Sequence, residues 1–195
     1  MKAFRLLLAA CALSTALLSC STTKALAPDD GSVYMTDTKK IRLLPPSCMD
    51  GSYEALQLFS GSFGSRQFAS QTYLECTEER VFAMLINEFG IGIGTLSYQG
   101  ESVTFESDYF PKDLQAAYIV ADLQNVYYKV SELEKNYAAA GLTFLCEKSP
   151  DGTETRLIQD GGTVIEKITI LPARKEISIQ NVLRGYSYHL EELEE

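Results

Sequence analysis

Few residues in this chain could do catalytic chemistry. The single histidine, His189, stands between Tyr188 and Leu190 near the C-terminus. A general base needs a nucleophile and an orienting partner held around it; a lone histidine in this setting is expected to be a surface side chain. No Cys, His and Asp grouping has metal-ligand spacing, and no G-x-S-x-G elbow occurs. The glycines of FGIGIG (Phe89 to Gly94) are spaced G-x-G-x-G, lack a following Lys and lead into a strand pattern. They are expected to form a turn between strands, not a phosphate loop. Paired acids such as Glu78-Glu79 and Glu191-Glu192 fit solvated faces. No catalytic residue, metal or cofactor is expected, and the chain is not expected to be an enzyme.

The residue with the clearest chemistry is Cys20. Lys2 and Arg5 precede a largely apolar run, Leu6 to Leu18, which is too short to cross a bilayer but suits the core of a signal peptide. The run ends in LLSC, Leu17 to Cys20. A small residue before Cys, with Leu three places ahead of it, resembles the lipobox of bacterial lipoproteins. In such proteins the Cys is acylated and becomes the first residue. Residues 1–19 are therefore read as a lipoprotein signal peptide, and two or more acyl chains on Cys20 would suffice for stable anchoring.

Signal removal also takes two positive charges, moving the net charge from −9 to −11. Such an acidic surface argues against nucleic acid and against electrostatic docking on anionic lipid. Cys11 leaves with the signal, so Cys48, Cys76 and Cys146 remain in an oxidising compartment. At most one bridge can form among them. Cys76 and Cys146 lie in strand-like runs and equally suit small buried apolar positions.

The elements around these residues are mostly strands. Residues 20–40 are polar and without period, as a flexible tether would be, and 41–195 form one domain. After the paired prolines Pro45-Pro46, about ten strand patterns follow, mostly joined by short turns, which predicts an antiparallel sheet. QFASQTYLEC puts Phe68, Ser70, Thr72, Leu74 and Cys76 on one face. RVFAMLIN is apolar almost throughout, as a strand covered on both faces would be. Residues 111–141 break the pattern. Leu114, Tyr118, Ala121 and Val126 stand near helical spacing, and a second helix carries a Ser131–Glu134 capping box, Leu133 and Tyr137 on one face, and Gly141 as its stop.

A single sheet of this size curls strongly, and its concave apolar face must be covered. The helical pair is a natural lid. Its inward residues would be Leu114, Tyr118, Leu123, Val126, Tyr127, Leu133 and Tyr137. Two outcomes are open: a pocket between sheet and lid suited to acyl or polyene chains, or a fully packed core.

The order of parts resembles the outer-membrane lipoprotein receptor family LolB and its periplasmic carrier LolA, unclosed β-barrels with a helical lid inserted mid-chain. The likeness covers roughly Tyr53 to Leu190 and includes VSELEKNYAAAG and NEFG (Asn87 to Gly90). In NEFG, Phe89 takes the place of the apolar turn residue that LolB exposes to help membrane insertion, with Glu88 where LolB has Pro; a buried turn anchor is the alternative. IRLLPP, FGIGIGTLSYQG and LQAAYIVADLQNVYY are similar to a family of LolB-like lipoproteins often encoded beside aryl polyene pigment genes. The resemblance implies a lipid-anchored protein of the outer membrane facing the periplasm. It would carry or insert a lipid, polyene or lipoprotein ligand. A scaffolding lipoprotein that binds protein partners is the other reading. Ser21 after the acylated Cys agrees with outer-membrane sorting.

Overall fold

A computed structural model describes residues 31–108 and 115–193. Cys20 and Leu114 lie outside the described residues. Ten strands form one antiparallel sheet: β3 (Tyr53–Phe63), β4 (Arg66–Cys76), β5 (Arg80–Ile86), β6 (Gly92–Gln99), β7 (Ser102–Glu106), β8 (Thr143–Lys148), β9 (Glu154–Asp160), β10 (Thr163–Ile170), β11 (Glu176–Asn181) and β12 (Tyr186–Glu192). Their spatial order is β7-β6-β5-β4-β3-β12-β11-β10-β9-β8. The sheet is unclosed, with β7 and β8 at its two edges.

That order explains the position of the helical insert. The edge strands β7 and β8 are consecutive strands in sequence, so the chain must cross from one edge to the other between them. It does so through α1 (Ala116–Tyr127) and α2 (Val130–Ala139). Helix α1 packs on β7 and β10, and α2 packs on β8. The insert thus crosses the gap in the barrel and covers the concave face.

Local sequence accounts for most elements. Alternation places Leu74 and Cys76 of β4, Val81 and Ala83 of β5, Leu96 and Tyr98 of β6, and Ile177 and Ile179 of β11 in the core. Gly161 and Gly162 both adopt positive φ, the conformation a two-residue hairpin demands between β9 and β10. Helix α2 ends as Gly141 turns to φ +72°, letting the Leu142 amide donate to the Tyr137 carbonyl at 2.9 Å.

Four expectations are corrected. The segment 20–40 is not tether throughout: β1 (Ser32–Tyr34) pairs with β2 (Lys40–Arg42), and Val33, Met35 and Ile41 are buried. Helix α2 starts before Ser131, with Lys129 at its N-cap and no side-chain cap, so Ser131 and Glu134 form no capping box. Strand β5 is covered on one face only; Phe82, Met84 and Ile86 on the other are half-buried. Helix α1 is buried nearly all round rather than along one stripe, because β1 packs against it and its Gln124 side chain bonds both the amide and the carbonyl of Leu44, at 3.0 and 2.8 Å. Cys48, Cys76 and Cys146 are all free thiols, and burial pushes Cys76 up to about 12.

One close approach fixes the middle of the sheet. A Cβ on Gly61 would lie 2.5 Å from the Phe68 ring, 2.7 Å from the Ser187 carbonyl oxygen and 2.9 Å from the Tyr188 ring. Gly61→Ala should therefore destabilise the fold by about 1–3 kcal/mol through overpacking against backbone as well as rings. Urea denaturation of the variant beside the parent measures this.

Candidate ligand-binding trough

Pairing register puts Phe59, Gly61 and Phe63 of β3 on the concave face, beside Phe68 and Ser70 of β4 and Tyr186 and Tyr188 of β12. The rings form a chain of contacts. Phe59 lies 5.3 Å from Phe68 and 5.4 Å from Tyr188; Tyr188 lies 5.0 Å from Tyr186, which lies 6.5 Å from Phe63. These separations suit aromatic pairing. Exposure is uneven along the chain: Phe63 at its end is 60% exposed, Tyr186 beside it is buried, and Tyr188, Phe59 and Phe68 beyond are half-buried. This is the mouth of a trough on the concave face.

Deeper along the same strands the surface turns polar without charge. Gln57 pairs across from Thr72, and Ser70 lies one step nearer the mouth. The Gln57 amide donates to the Tyr53 hydroxyl at 2.9 Å, while Gln57 Oε1, Ser70 Oγ and Thr72 Oγ1 are buried without a hydrogen-bond partner among the described residues.

The expected lid residues are brought together, but as core. Leu123, Val126, Tyr127, Leu133 and Tyr137 are 0–8% exposed and belong to one packed cluster. Tyr118 is half-buried beneath the Arg184 guanidinium, 4.6 Å from its ring centre. Two open grooves, of about 770 and 530 Å³, lie elsewhere. The first is lined by Ser60, Ser62, Ser178, Ser187 and His189 together with Gly61 and with Phe68 and Tyr188 of the ring chain, and the second surrounds the β4–β5 turn. His189 is half-exposed and 3.1 Å from the Ser178 hydroxyl.

Helix α1 meets the sheet through charge as well as apolar packing. Asp122 on α1 and Glu166 on β10 are both buried. Tyr186 Oη donates to Asp122, 3.0 Å from each carboxyl oxygen. Glu166 accepts from Asn125 Nδ2 and Asn181 Nδ2, each at 2.9 Å. Tyr137 Oη donates to Asn125 Oδ1 at 2.8 Å, joining α2 to the cluster. Burial, followed by the charge of Glu166, holds Asp122 well above the usual carboxylate range; burial also raises Glu166. At the other end of α1, the buried Arg156 donates to the Asn125 carbonyl at 2.8 Å and the Tyr128 carbonyl at 3.4 Å. It occupies the helix C-terminus, where a cation is favoured.

Phe89 is 78% exposed, not a buried turn anchor. Asn87 Oδ1 accepts from the Phe89 and Ile91 amides, at 3.0 and 2.9 Å, which fixes the β5–β6 turn. The antiparallel order brings four hairpin turns to one end of the sheet: β3–β4, β5–β6, β9–β10 and β11–β12. Phe63, Phe89, Ile91, Val182 and Leu183 all lie there, 54–78% exposed.

Sequence reasoning missed the aromatic mouth and the acid pair. The mouth was legible in part, since Phe59 and Phe63 share the β3 face by alternation. The acid pair gave no local signal, because its members are 44 residues apart and meet only through the crossover.

Comparison places residues 54–194 within the family model described as Protein of unknown function (DUF3261). No match is found among curated proteins. Among solved structures, a domain named for outer membrane lipoprotein sorting, from Vibrio parahaemolyticus, aligns at 11% identity and TM-score 0.37, covering 74% of this chain and 84% of its own. A DUF1329 family protein from Desulfovibrio piger aligns at 8% identity and TM-score 0.26, over 75% and 85%.

Tyr186→Phe keeps the ring and removes the hydroxyl that faces Asp122. It should lower stability by about 1–3 kcal/mol, because a buried carboxyl loses its donor. Chemical denaturation midpoints at constant slope report the change.

Proposed function

The chain belongs to the DUF3261 family, and from that premise we propose that it is a lipid-anchored acceptor or carrier of a hydrophobic ligand at the outer membrane, with its domain in the periplasm. The observation that carries this reading is the chain of aromatic rings on the concave face of an unclosed sheet, with Phe63 exposed and Phe59, Phe68 and Tyr188 half-buried around buried Tyr186. Rings at these spacings offer flat apolar surface to an acyl chain or to a conjugated polyene. The ligand is the acyl part of a lipoprotein or an aryl polyene lipid, anchoring is through acylated Cys20, and residues 20–30 with the signal removed supply the tether. In the ligand-bound form the N-terminal half of α1 lifts, so that Tyr118 and Leu123 join the mouth rings along the enlarged trough.

Phe89 and the other exposed apolar residues at the same end support seating of that end on the lipid surface. Full burial of a Phe side chain is worth about 1.5–3 kcal/mol. Phe89→Ser should therefore weaken vesicle partitioning of the unacylated Cys20→Ser chain by about tenfold or more, measured by flotation.

A second reading, a scaffolding lipoprotein with a filled interior, is favoured by one observation: the lid residues are packed in the core. Native mass spectrometry of the protein purified from its host, before and after organic extraction, separates the two. A carrier shows an extractable apolar species, and Phe68→Glu at the mouth removes it while the thermal melt is kept. A bare chain in every preparation leaves the scaffold reading standing and the carrier reading without support.

A further inference from the structure

Two carboxyl groups from different elements are buried in one hydrogen-bonded cluster, Asp122 of α1 at 3% exposure and Glu166 of β10 at 0%, joined through Tyr186 and Asn181. Buried carboxyls are rare unless paired with a cation. The nearest cation is Arg184, in the β11–β12 turn. Its guanidinium is engaged with the Tyr34 and Met35 carbonyls of the β1–β2 hairpin and with the Tyr118 hydroxyl and ring. No hydrogen bond from Arg184 to either carboxyl is found among the described residues, so its charge acts on the pair only at a distance. The remaining titratable groups facing the pair are tyrosines: Tyr186 and Tyr188 on β12 and Tyr137 on α2. All three are raised by burial first and then by the carboxyl charges, so they stay neutral donors.

We propose that Asp122 and Glu166 form a proton-operated latch, which seats α1 on the sheet while the two carboxyls share a proton and loosens it when that proton leaves.

The geometry assigns the parts. Glu166 is the fixed member, since its strand is paired on both sides by β9 and β11 and its oxygens already take two amide donors. Asp122 is the proton carrier, facing the Tyr186 hydroxyl, which also accepts from the Asn181 amide that donates to Glu166. Loss of the proton leaves two anions in a dry site, which is unfavourable. The helix, not the strand, gives way. Its C-terminal end is pinned: Tyr128 bridges to Met49, the Asp50 amide donates to the Tyr127 carbonyl, and Arg156 binds the last carbonyls. No such backbone tie joins residues 116–122 to the sheet among the described residues. Movement therefore concentrates in the N-terminal half, the half over Tyr186 at the trough mouth. A carboxyl whose folded pKa is raised contributes stability that is present at acid pH and lost as pH rises through the folded value. The latch is therefore shut at low pH and released at higher pH. It is a property of the fold and stands whether or not the trough carries a ligand.

Hydrogen exchange read by mass spectrometry on the full chain, at pH 6 and pH 9 and corrected for intrinsic exchange chemistry, tests it. In the parent, amides of residues 116–122 should exchange at least tenfold faster at pH 9, while α2 and β3–β4 keep their protection. Asp122→Asn retains the size and can donate to Glu166 but cannot ionise; it should abolish the pH difference. Glu166→Gln serves the same purpose should Asp122→Asn fail to fold. The proposal is overturned by equal protection of 116–122 at both pH values in the parent. It is also overturned if the whole sheet loosens together with the helix, or if the pH response persists in a folded variant.

Discussion

The structure depends on how an unclosed sheet keeps its concave face dry. Ten strands curl enough to make a trough but not enough to join their edges. The apolar residues of that face would be wet without a cover. The chain supplies the cover at the only place its topology leaves open, the crossover between β7 and β8. Helix α1 is then held from two sides: the sheet beneath, and the β1–β2 hairpin with its entry segment above, clamped through Gln124. This is why a 12-residue helix can bury Asp122, Gln124 and Asn125. Each polar side chain finds a partner in a neighbouring element.

Much of this was legible in the sequence. Strand number, antiparallel order and the mid-chain helical pair follow from alternation, turn residues and the change of period at 111–141. The inward face of β4, Phe68 to Cys76, was read correctly because each alternate residue is small or apolar. The failures have physical reasons. Ser131 looks like a cap, but the main-chain bond from Lys129 to the Cys48 carbonyl starts the helix earlier. Val33 and Met35 sit in a polar stretch whose hairpin packs against α1 and α2, so local composition could not reveal it. Phe82, Met84 and Ile86 look like core in a run that is apolar throughout, yet their face is only partly covered, by side chains such as Arg80 and Tyr73 on Phe82. The lid residues were identified as inward by spacing, but spacing cannot tell a lined pocket from a packed core.

The two kinds of contact beneath α1 differ in their consequences. Apolar packing of Val120 and Val126 is insensitive to pH and tolerant of small shifts. The Asp122, Glu166, Asn125, Asn181 and Tyr186 cluster is directional. It holds one register of helix on sheet and penalises others, since any displacement leaves buried polar groups without partners. Well-packed apolar residues of the same volume would often be as stable or more so. What the polar cluster adds is a discrete seated position and a dependence on protonation.

The two ends of α1 are built differently, and the mouth lies at the less constrained end. Backbone bonds and Arg156 fix the C-terminal turn beside β3 and β9, close to the deepest part of the core. Among the described residues the N-terminal half meets the sheet through side chains, over the ring chain that ends at exposed Phe63. Gly61 lets three of those rings converge, so the mouth is rigid in the sheet and any opening must come from the helix. A cover pinned at one end, seated by a titratable contact in its middle and free of backbone ties to the sheet at the other is a hinged cover. In this fold the strands supply the fixed frame, and among the described residues the N-terminal half of α1 is held to it by side chains, which is where the proposed release acts.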